Sequence, residues 1–395
     1  SAASIVGPPI EIDGRVKQST VPAVAYNPVH DEYLVVWTNY QDQWSHDIWA
    51  RRVTGKGLAL DAPFCVSTFP AEYHESPRVA FNPVTQEYLV AYTRKPEGGY
   101  TDVYVRRVRY DGAWISAPVQ LSWGGGYHSR PAVAYNPLQS EYVVAWSNYW
   151  AAGGQDISAQ RVRSDGLALN STLVVSGPQI AASQPAISYS PLAYGGAGGY
   201  LVAYMHQGGD PQTVTIRVKL ARADLTLLET TPEVVLTTTN VSTLPAAASG
   251  KDGSLVAWSV AAPAPDQVRA RRVSSGGTPL GGGIGFDVSG IYTTNISLPA
   301  VSLAYGRGYG YLAAWSFDDA WAYEVRGRYV LEGQDAASGQ EFIIDGQAAS
   351  AREPAVACRP NGDCLVAYEL EVGGDWDIWA RLVRPHRVFL PLVMR

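Results

Sequence analysis

The chain has 395 residues, of which 46% are hydrophobic, and it carries a formal net charge of −6. This length exceeds what one hydrophobic core usually supports, so the sequence indicates several domains or a repeat architecture. It contains no run of basic residues and no apolar stretch of about 18 residues, which argues against nucleic-acid binding and a membrane span.

The N-terminal residues and the cysteines bear on the cellular compartment. The chain opens with SAASIVG, small residues that fit a mature end left after signal-peptide cleavage. We therefore expect an extracellular or cell-surface protein. Cys358 and Cys364 flank an Asn-Gly turn, where a disulfide and two facing free thiols are both compatible with the spacing. Cys65 is expected to be a small apolar core residue.

Seven copies of one pattern follow one another along the chain, and each opens with a proline. The stretch PAVAYNPVHDEYLVVW at 22–37 returns as PAVAYNPLQSEYVVAW at 131–146. The intervals between opening prolines are 54 to 60 residues, which predicts repeated supersecondary units. These prolines are Pro22, Pro77, Pro131, Pro185, Pro245, Pro299 and Pro354.

Each copy predicts four short strands separated by turn residues. The first is small and apolar, as in PAVAY, and the second is an unbroken apolar run, as in YLVVW, typical of burial on both faces. The third alternates, as in DIWARRV, and the fourth is brief, as in PFCVS. The sequence therefore predicts an all-β fold, a seven-bladed β-propeller with four-stranded blades. The second-strand aromatics are expected to pack between blades: Trp37, Tyr92, Trp146, Tyr204, Trp258, Trp315 and Tyr368.

The two ends of the chain are expected to play different roles. The seventh copy lacks a fourth strand, and GPPIEIDG at 7–14 closely matches GQEFIIDG at 339–346. We therefore predict that the N-terminal strand completes the last blade. On this prediction residues 1–387 form one propeller and residues 388–395 form a C-terminal apolar tail strand.

The third-strand motif also supports a family resemblance. DIWARRV and DISAQRV, followed by DGLAL and SQPAISY, resemble repeats of the type D-I-(Y/W)-(A/G)-(Q/R)-R-(V/L) in large secreted bacterial proteins. The resemblance spans all seven copies and is weakest in copies four to six. It implies an extracellular β-propeller, often found beside surface-attachment modules, and it supplies no established catalytic residue.

An arginine recurs in the third strand, and in the first copy Arg51 shares a face with Asp47. A residue that nearly every copy repeats is expected to stabilise the blade, through an ion pair and stacking on an aromatic ring, rather than to form an anion site. These arginines are Arg51, Arg106, Arg217, Arg271, Arg328 and Arg381.

Residues that break the repeat are better candidates for a binding site. The loops leading into strand one and the loops joining strands two and three emerge on one face, and in copies one to three they are rich in aromatic and hydrogen-bonding residues. Such groups suit sugar rings or peptide side chains, although they would equally suit packing on their own blade. The ligand-binding candidates are Tyr40, Trp44, Tyr73, His74, Trp123, Tyr127, His128, Arg130, Tyr149 and Trp150.

The sequence predicts neither a metal, nor a cofactor, nor an enzyme. His74 and His128 share one position in adjacent copies, without a third ligand at metal spacing. Motifs of serine hydrolases, zinc proteases and phosphate-binding loops are absent. The first strands carry no Asp or Glu, and Glu75 and Glu353 are expected to stand at least two blades apart, which disfavours a glycosidase.

The tail RVFLPLVMR is apolar, and its single proline suits an edge strand. It is expected either to fold back on its own propeller or to add as a strand to a neighbouring subunit. The assembly candidates are Val388, Phe389, Leu390, Leu392 and Val393.

The favoured prediction is a non-catalytic extracellular structural protein that self-associates through this tail into a surface or extracellular polymer. Two alternatives stay open. One is a lectin-like propeller that binds carbohydrate or peptide through the aromatic face of blades one to three, and the other is a polysaccharide-active enzyme. The expected partner is a second copy of the chain, with a glycan or peptide as the alternative.

Overall fold

A computed structural model gives the fold of the chain, whose described residues are all-β apart from one four-residue helix, α1 (Ala193–Gly196). Among the described residues, no helix is long and apolar enough to cross a membrane. The structure describes residues 3–15, 18–42, 45–67, 72–96, 98–150, 153–176, 181–208, 214–226, 234–236, 244–260, 267–282, 285–291, 301–318, 322–346 and 349–386.

The strands are short and follow one another closely. The first nine are β1 (Ala3–Glu11), β2 (Ser19–Asn27), β3 (Glu32–Asp42), β4 (Ser45–Thr54), β5 (Phe64–Ser67), β6 (Tyr73–Asn82), β7 (Glu87–Lys95), β8 (Asp102–Arg109) and β9 (Val119–Gln120). The next eight are β10 (Gly126–Asn136), β11 (Glu141–Trp150), β12 (Gln155–Arg163), β13 (Ala168–Val174), β14 (Ala182–Ser190), β15 (Gly199–Gln207), β16 (Val214–Arg222) and β17 (Val234–Val235). The last eleven are β18 (Ala246–Gly250), β19 (Gly253–Val260), β20 (Gln267–Val273), β21 (Phe286–Asp287), β22 (Val301–Gly306), β23 (Gly310–Asp318), β24 (Tyr323–Val330), β25 (Ala337–Asp345), β26 (Ala351–Cys358), β27 (Cys364–Val372) and β28 (Asp375–Pro385).

These strands form five four-stranded sheets and one eight-stranded sheet in the described part of the chain. The halves of the larger sheet, β2–β5 and β6–β9, are joined by a parallel bridge between His46 and Tyr73. Each half therefore repeats the four-stranded antiparallel unit of the other sheets. We number these units in the order of their opening prolines: β2–β5, β6–β9, β10–β13, β14–β17, β18–β21, β22–β25, and β26–β28 with β1.

The outer strand of unit 7 comes from the start of the chain. β1 pairs antiparallel with β28, and Ile5 lies opposite Val383. The sheet order is therefore β1-β28-β27-β26, in which the first strand of the sequence completes the last sheet. This arrangement holds the two ends of the described chain together.

The core consists of seven clusters of buried apolar side chains, as far as the chain is described, and each cluster joins two successive units. One of them packs Trp37 of unit 1 against Leu365 and Ile378 of unit 7. The second-strand aromatics predicted to pack between blades are all buried: Trp37, Tyr92, Trp146, Tyr204, Trp258, Trp315 and Tyr368. The first strands also contact one another in succession, and β26 contacts β2.

Asp13, just after β1, ties unit 7 to unit 1. Its fully buried carboxylate accepts hydrogen bonds from the Ser19 hydroxyl at 2.7 Å, the Trp37 indole N–H at 2.9 Å and the Arg15 guanidinium at 2.6 Å. The N–H groups of Ile12 and Asp13 both donate to the carbonyl of Ile378, at 2.9 and 3.1 Å. A serine holds the corresponding position in units 1, 2, 3 and 5 and accepts a third-strand N–H: Ser67, Ser122, Ser176 and Ser289.

Four of the repeated third-strand arginines bind backbone carbonyls of the preceding unit, and Arg381 forms an ion pair with Asp345 of that unit at 3.0 Å, whereas the sequence predicted an ion pair between Arg51 and Asp47. Arg51 donates to the carbonyl of Ile12 at 3.1 Å and Arg106 to that of Val66 at 2.7 Å. Arg328 repeats the contact with Val288 at 3.0 Å. The guanidinium therefore links neighbouring units through the fourth strand. The predicted stacking is seen for Arg106, which lies 3.7 Å from the Trp114 ring centroid.

The cysteines lie in units 1 and 7. A disulfide joins Cys358 at the end of β26 to Cys364 at the start of β27, across the Asn-Gly turn. Cys65 in β5 is free and partly buried. Burial and the nearby Asp47 carboxylate raise the pKa of the Cys65 thiol to about 12, so this thiol is protonated and unreactive at neutral pH.

A partly buried carboxyl near the junction of units 7 and 1 predicts a pH-dependent stability. Burial, followed by the charges of Asp13, Asp375 and Glu11, raises the pKa of Asp377 to about 6, and one of its oxygens is buried without a hydrogen bond. Because the unfolded chain ionises this group at lower pH, stability is lost as the pH rises through the folded-state pKa. We expect Asp377→Asn to raise the melting temperature at pH 7.5, and the gain to shrink towards zero near pH 4.

The matched control is Asp252→Asn, which removes the same charge from an exposed turn. Thermal melts of the three proteins between pH 4 and 7.5 measure the effect. An equal shift for both variants at pH 7.5 would mean that net charge, rather than the buried position of Asp377, sets the stability.

Candidate functional site

A β-bulge precedes the proline of the first strand in five units. The residue before the proline has a positive φ of 51° to 59°, in the left-handed region that costs a non-glycine residue about 1–2 kcal/mol. These residues are Val21, Ser76, Arg130, Gln184 and Glu353. In all five units the residue before the proline lines one shared cavity. Such outliers persist where the surrounding structure holds them, and they concentrate at functional sites.

Side chains of the preceding unit hold these bulges in place. The N–H of Ser76 donates to the hydroxyl of Thr38 at 3.2 Å, that of Gln184 to Ser147 at 2.9 Å, and that of Glu353 to Ser316 at 2.9 Å. Each hydroxyl follows the buried aromatic of the second strand. In unit 7 this position is Glu369, whose carboxylate accepts the N–H of Val21 at 2.8 Å.

A cavity of about 520 Å³ opens where these bulges meet. Residues of all seven units line it, and we call it the axial cavity. Its walls are Gln18, Thr20, Val21, Tyr40, Ser76, Arg78, Arg130, Pro131, Gln184, Pro185, Leu244, Ser316, Tyr323, Arg352, Glu353 and Glu369. A concave site with a few convergent charged groups is the usual form of a ligand site.

One pair of charges in the axial cavity is structural. Arg352 donates to the Glu369 carboxylate at 2.7 Å, and its guanidinium stacks 3.8 Å from the Trp376 ring centroid. Glu369 is almost fully buried, and burial raises the pKa of its carboxyl in spite of the bonds from Val21 and Arg352. Both Glu369 oxygens are therefore committed to the protein.

Glu353 is the uncommitted carboxyl of the axial cavity. Its carboxylate forms no hydrogen bond or ion pair with another described residue. Burial and the charge of Glu369 raise the pKa of the Glu353 carboxyl, while the charges of Arg352, Arg78 and Arg130 oppose the rise. A carboxyl of raised pKa facing a cavity can donate a proton to a ligand and take it back.

A cluster of His46 with two tyrosine rings flanks the cavity on units 1 and 2. The His46 ring lies 4.0 Å from that of Tyr40, which lines the cavity, and 4.7 Å from that of Tyr73. Nδ1 of His46 is 2.8 Å from the Glu75 carboxylate. Glu75 is therefore engaged by a histidine of its neighbouring unit.

An exposed group of aromatic rings lies beside the same face on units 2 and 3. The Tyr100 and Tyr127 rings meet edge to face at 5.2 Å, and the Trp150 indole N–H donates to Asp156 at 2.8 Å. Gly126 permits this packing, because a Cβ there would lie 2.7 Å from the Tyr149 carbonyl oxygen. The residues are 37–70% exposed, and we call them the aromatic platform: Tyr100, Trp123, Tyr127 and Trp150.

The sequence-predicted candidates that the structure describes fall into four groups. Tyr40 and Arg130 line the axial cavity, Trp123, Tyr127 and Trp150 belong to the aromatic platform, and Tyr73 and Tyr149 are partly buried nearby. His74 and His128 are buried: His74 contacts Ser67 at 2.9 Å, and His128 contacts Asn148 at 2.6 Å. Trp44 lies outside the described residues, as do the tail candidates Val388, Phe389, Leu390, Leu392 and Val393.

The sequence prediction missed Arg78, Arg352 and Glu369, and it placed Glu353 at the mouth without neighbours. A signal for two of them exists in the repeat. Arg78 follows its opening proline, where the other described units have alanine, and Glu369 follows the second-strand aromatic, where three units have a bulge-holding Ser or Thr. Comparing strand positions as well as loops between copies would have found both.

Comparisons with known proteins show a shared fold. No protein-family model and no curated protein sequence matches the chain. A protein of unknown function from Dyadobacter fermentans DSM 18053 matches with a TM-score of 0.59 and 10% identity, over 98% of this chain and all of the other. An ulvan lyase of polysaccharide lyase family PL25, bound to -[GlcA(1-4)Rha3S]-, matches with a TM-score of 0.57 and 11% identity, over 96% of this chain and 94% of the lyase. The all-β fold of four-stranded sheets is therefore propeller-like.

These findings correct two sequence predictions: a non-catalytic structural protein that assembles through its tail, and a protein that is not an enzyme. The lyase match shows that a polysaccharide-degrading protein has this fold over nearly the whole chain. The physical error lay in starting the first strands at the opening proline, from which point the predicted strands carry no acid. The observed β26 begins at Ala351, and its bulge brings Glu353 to the axial cavity, while Glu369 reaches the cavity from the position after the second-strand aromatic.

Proposed function

We propose that the units form one closed, seven-bladed β-propeller spanning residues 1–387. Three observations support it: the core clusters between successive units, the contacts of each first strand with the next, and the pairing of β1 with β28. The contacts of β26 with β2 bring unit 7 against unit 1. We also propose an extracellular location, supported by the resemblance to secreted bacterial repeats and by the disulfide.

The proposed function is action on an extracellular polysaccharide. The observation that carries it is Glu353, an uncommitted carboxyl on the wall of a central cavity that also carries three arginines. Glu353 is the proton-transferring group at the glycosidic bond: protonated, it donates to the leaving sugar oxygen as the C–O bond breaks. A water molecule then adds its hydroxyl to the anomeric carbon and returns its other proton to the Glu353 carboxylate. Glu369 is a positioning residue, because its oxygens hold the Val21 bulge and Arg352.

The aromatic platform extends this site sideways. Its rings suit the apolar faces of sugars, and the Tyr hydroxyls and the Trp123 indole add hydrogen-bonding groups beside them. It lies on the face where the loops before the first strands emerge, since Tyr127 is three residues before Arg130. A polymer that crosses the platform would therefore present one of its residues to the axial cavity.

The test is a panel of neutral and acidic polysaccharides incubated with the full chain. Release of reducing ends, ultraviolet absorbance of unsaturated products and a fall in polymer size measure cleavage. Cleavage of at least one polymer is expected. Binding without cleavage would reject the catalytic proposal and leave a carbohydrate-binding protein. Neither binding nor cleavage across the panel would reject the proposed function as a whole.

A further inference from the structure

Arg78 and Arg130 differ from most other arginines of the described chain. Most described arginines bind a carboxylate or a carbonyl of another strand, as Arg94 binds Glu72 at 2.6 Å and Arg161 binds Glu141 at 2.7 Å. The hydrogen bond recorded for Arg78 is to the carbonyl of the adjacent Pro77, at 2.8 Å. Arg130 has no hydrogen bond or ion pair with another described residue.

The two guanidinium groups share the axial cavity and influence each other. Burial lowers the pKa of Arg78, the charge of Glu353 opposes this, and the charge of Arg130 lowers it further. Both residues line the axial cavity, so positive groups of two neighbouring units face the same space. The cavity carries three arginines against two glutamates, so its formal charge is +1 even when both carboxyls are ionised.

The repeat indicates that this charge does not serve the architecture. In each of the five other units where the residue after the opening proline is described, that residue is alanine: Ala23, Ala132, Ala186, Ala246 and Ala355. A large cation at the crowded centre of unit 2 therefore departs from what the packing of a unit requires. Arg78 is partly buried and Arg130 is exposed to the cavity, so a ligand can reach both, and an anionic ligand would supply the opposite charge that the cavity lacks.

We propose that Arg78 and Arg130 bind an anionic substituent of the polysaccharide, either the carboxylate of a uronic acid or a sulfate ester. This inference rests on the proposed function, whose substrate class it narrows to acidic glycans. A guanidinium presents two parallel N–H donors to two oxygens of a carboxylate or sulfate, and a partly desolvated cavity strengthens both bonds. The anion also neutralises the excess charge of the site.

The experiment measures the affinity of the full chain for two matched pairs of probes by calorimetry. One pair is oligogalacturonate and its carboxyl-reduced form, and the other is a chondroitin sulfate oligosaccharide before and after desulfation. The variants are Arg78→Ala, which restores the residue of the other units, and Arg130→Gln. The control is Arg163→Gln, at the far end of the third strand from the cavity, where Arg163 pairs with the exposed Asp165.

We expect at least one charged probe to bind about 10- to 100-fold more tightly than its neutral form, as a charge-assisted hydrogen bond predicts. Loss of preference on carboxyl reduction identifies a uronate, and loss on desulfation identifies a sulfate. Arg78→Ala and Arg130→Gln should each reduce the preference about 10-fold or more, whereas Arg163→Gln leaves it unchanged. Circular dichroism and melting temperature establish that each variant is folded.

The outcomes separate this inference from the proposed function. Equal binding of charged and neutral probes, binding of none of them, or a preference unaffected by Arg78→Ala and Arg130→Gln would overturn the inference. Cleavage of a neutral polysaccharide that both arginine variants retain would overturn it while the proposed function stands. An arginine-dependent preference in a protein that cleaves no polysaccharide would support it and reject the catalytic proposal.

Discussion

Replacing Glu353 by Gln is expected to reduce polysaccharide cleavage about 10²- to 10⁴-fold, the range for loss of a general acid or base. The amide keeps the size of the side chain, and the bulge stays in place because the Ser316 hydroxyl holds the backbone N–H of residue 353. Binding should change little, since Arg78 and Arg130 are untouched. Initial rates and calorimetric affinities for the same polymer measure the two effects separately.

The pH dependence gives a second expected result for the same residue. Burial and the charge of Glu369 raise the pKa of Glu353, against the charges of Arg352, Arg78 and Arg130. As a proton donor it is active in its protonated form, so the rate should fall as the pH rises through this raised pKa, above the ordinary range of a glutamate. Glu11→Gln on the exposed edge of β1 is the control for loss of one carboxylate. A Glu353→Gln protein with the wild-type rate and pH profile would exclude Glu353 from catalysis.

Replacing Asp13 by Ala is expected to destabilise the protein by about 3–5 kcal/mol, the cost of breaking a buried charged network by removing one partner. The Trp37 indole N–H and the Ser19 hydroxyl would lose their acceptor inside the protein, while the Asn39 amide would keep only its bond to Ser19. These groups belong to unit 1, while Asp13 follows the outer strand of unit 7. The substitution therefore weakens the junction at which the chain ends meet.

Denaturant unfolding measures the loss of global stability, and hydrogen exchange shows which strands lose protection. The free energy of unfolding should fall, and exchange should rise first in β1 and the facing part of β28. The control is Asp111→Ala, which removes a solvent-exposed partner of Arg109 and is expected to cost less than about 1 kcal/mol. Equal losses for the two variants would show that Asp13 does not hold this junction.

The sequence predicted the architecture because the repeat places the same physical pattern at the same position in every copy. Unbroken apolar runs became the buried second strands, and the match of 7–14 to 339–346 located β1 beside β28. The first strands, however, begin before the opening proline and pass through a bulge at positive φ. Val, Ser, Arg, Gln and Glu occupy that position, so residue type carries no signal for the left-handed conformation, which tertiary hydrogen bonds impose.

The site was predicted only in part, because tertiary hydrogen bonds also decide which of its side chains face solvent. Loop aromatics such as Trp123 and Tyr127 are exposed as a site requires, but His74 and His128 turn inwards to polar partners on neighbouring strands. Which way a loop histidine points depends on those partners, which sequence spacing does not place. The sequence did not predict that Glu353 and Arg130 share a site, because it is the bulges that place both residues in the axial cavity.

The most direct test of the central claim is a crystal structure of the full-length Glu353→Gln protein with an oligosaccharide of the polymer that the wild type binds. The account predicts a sugar residue in the axial cavity, within hydrogen-bond distance of Gln at position 353, and the rest of the chain against Tyr127 and Trp150. An oligosaccharide bound elsewhere, with the axial cavity filled by water alone, would contradict it.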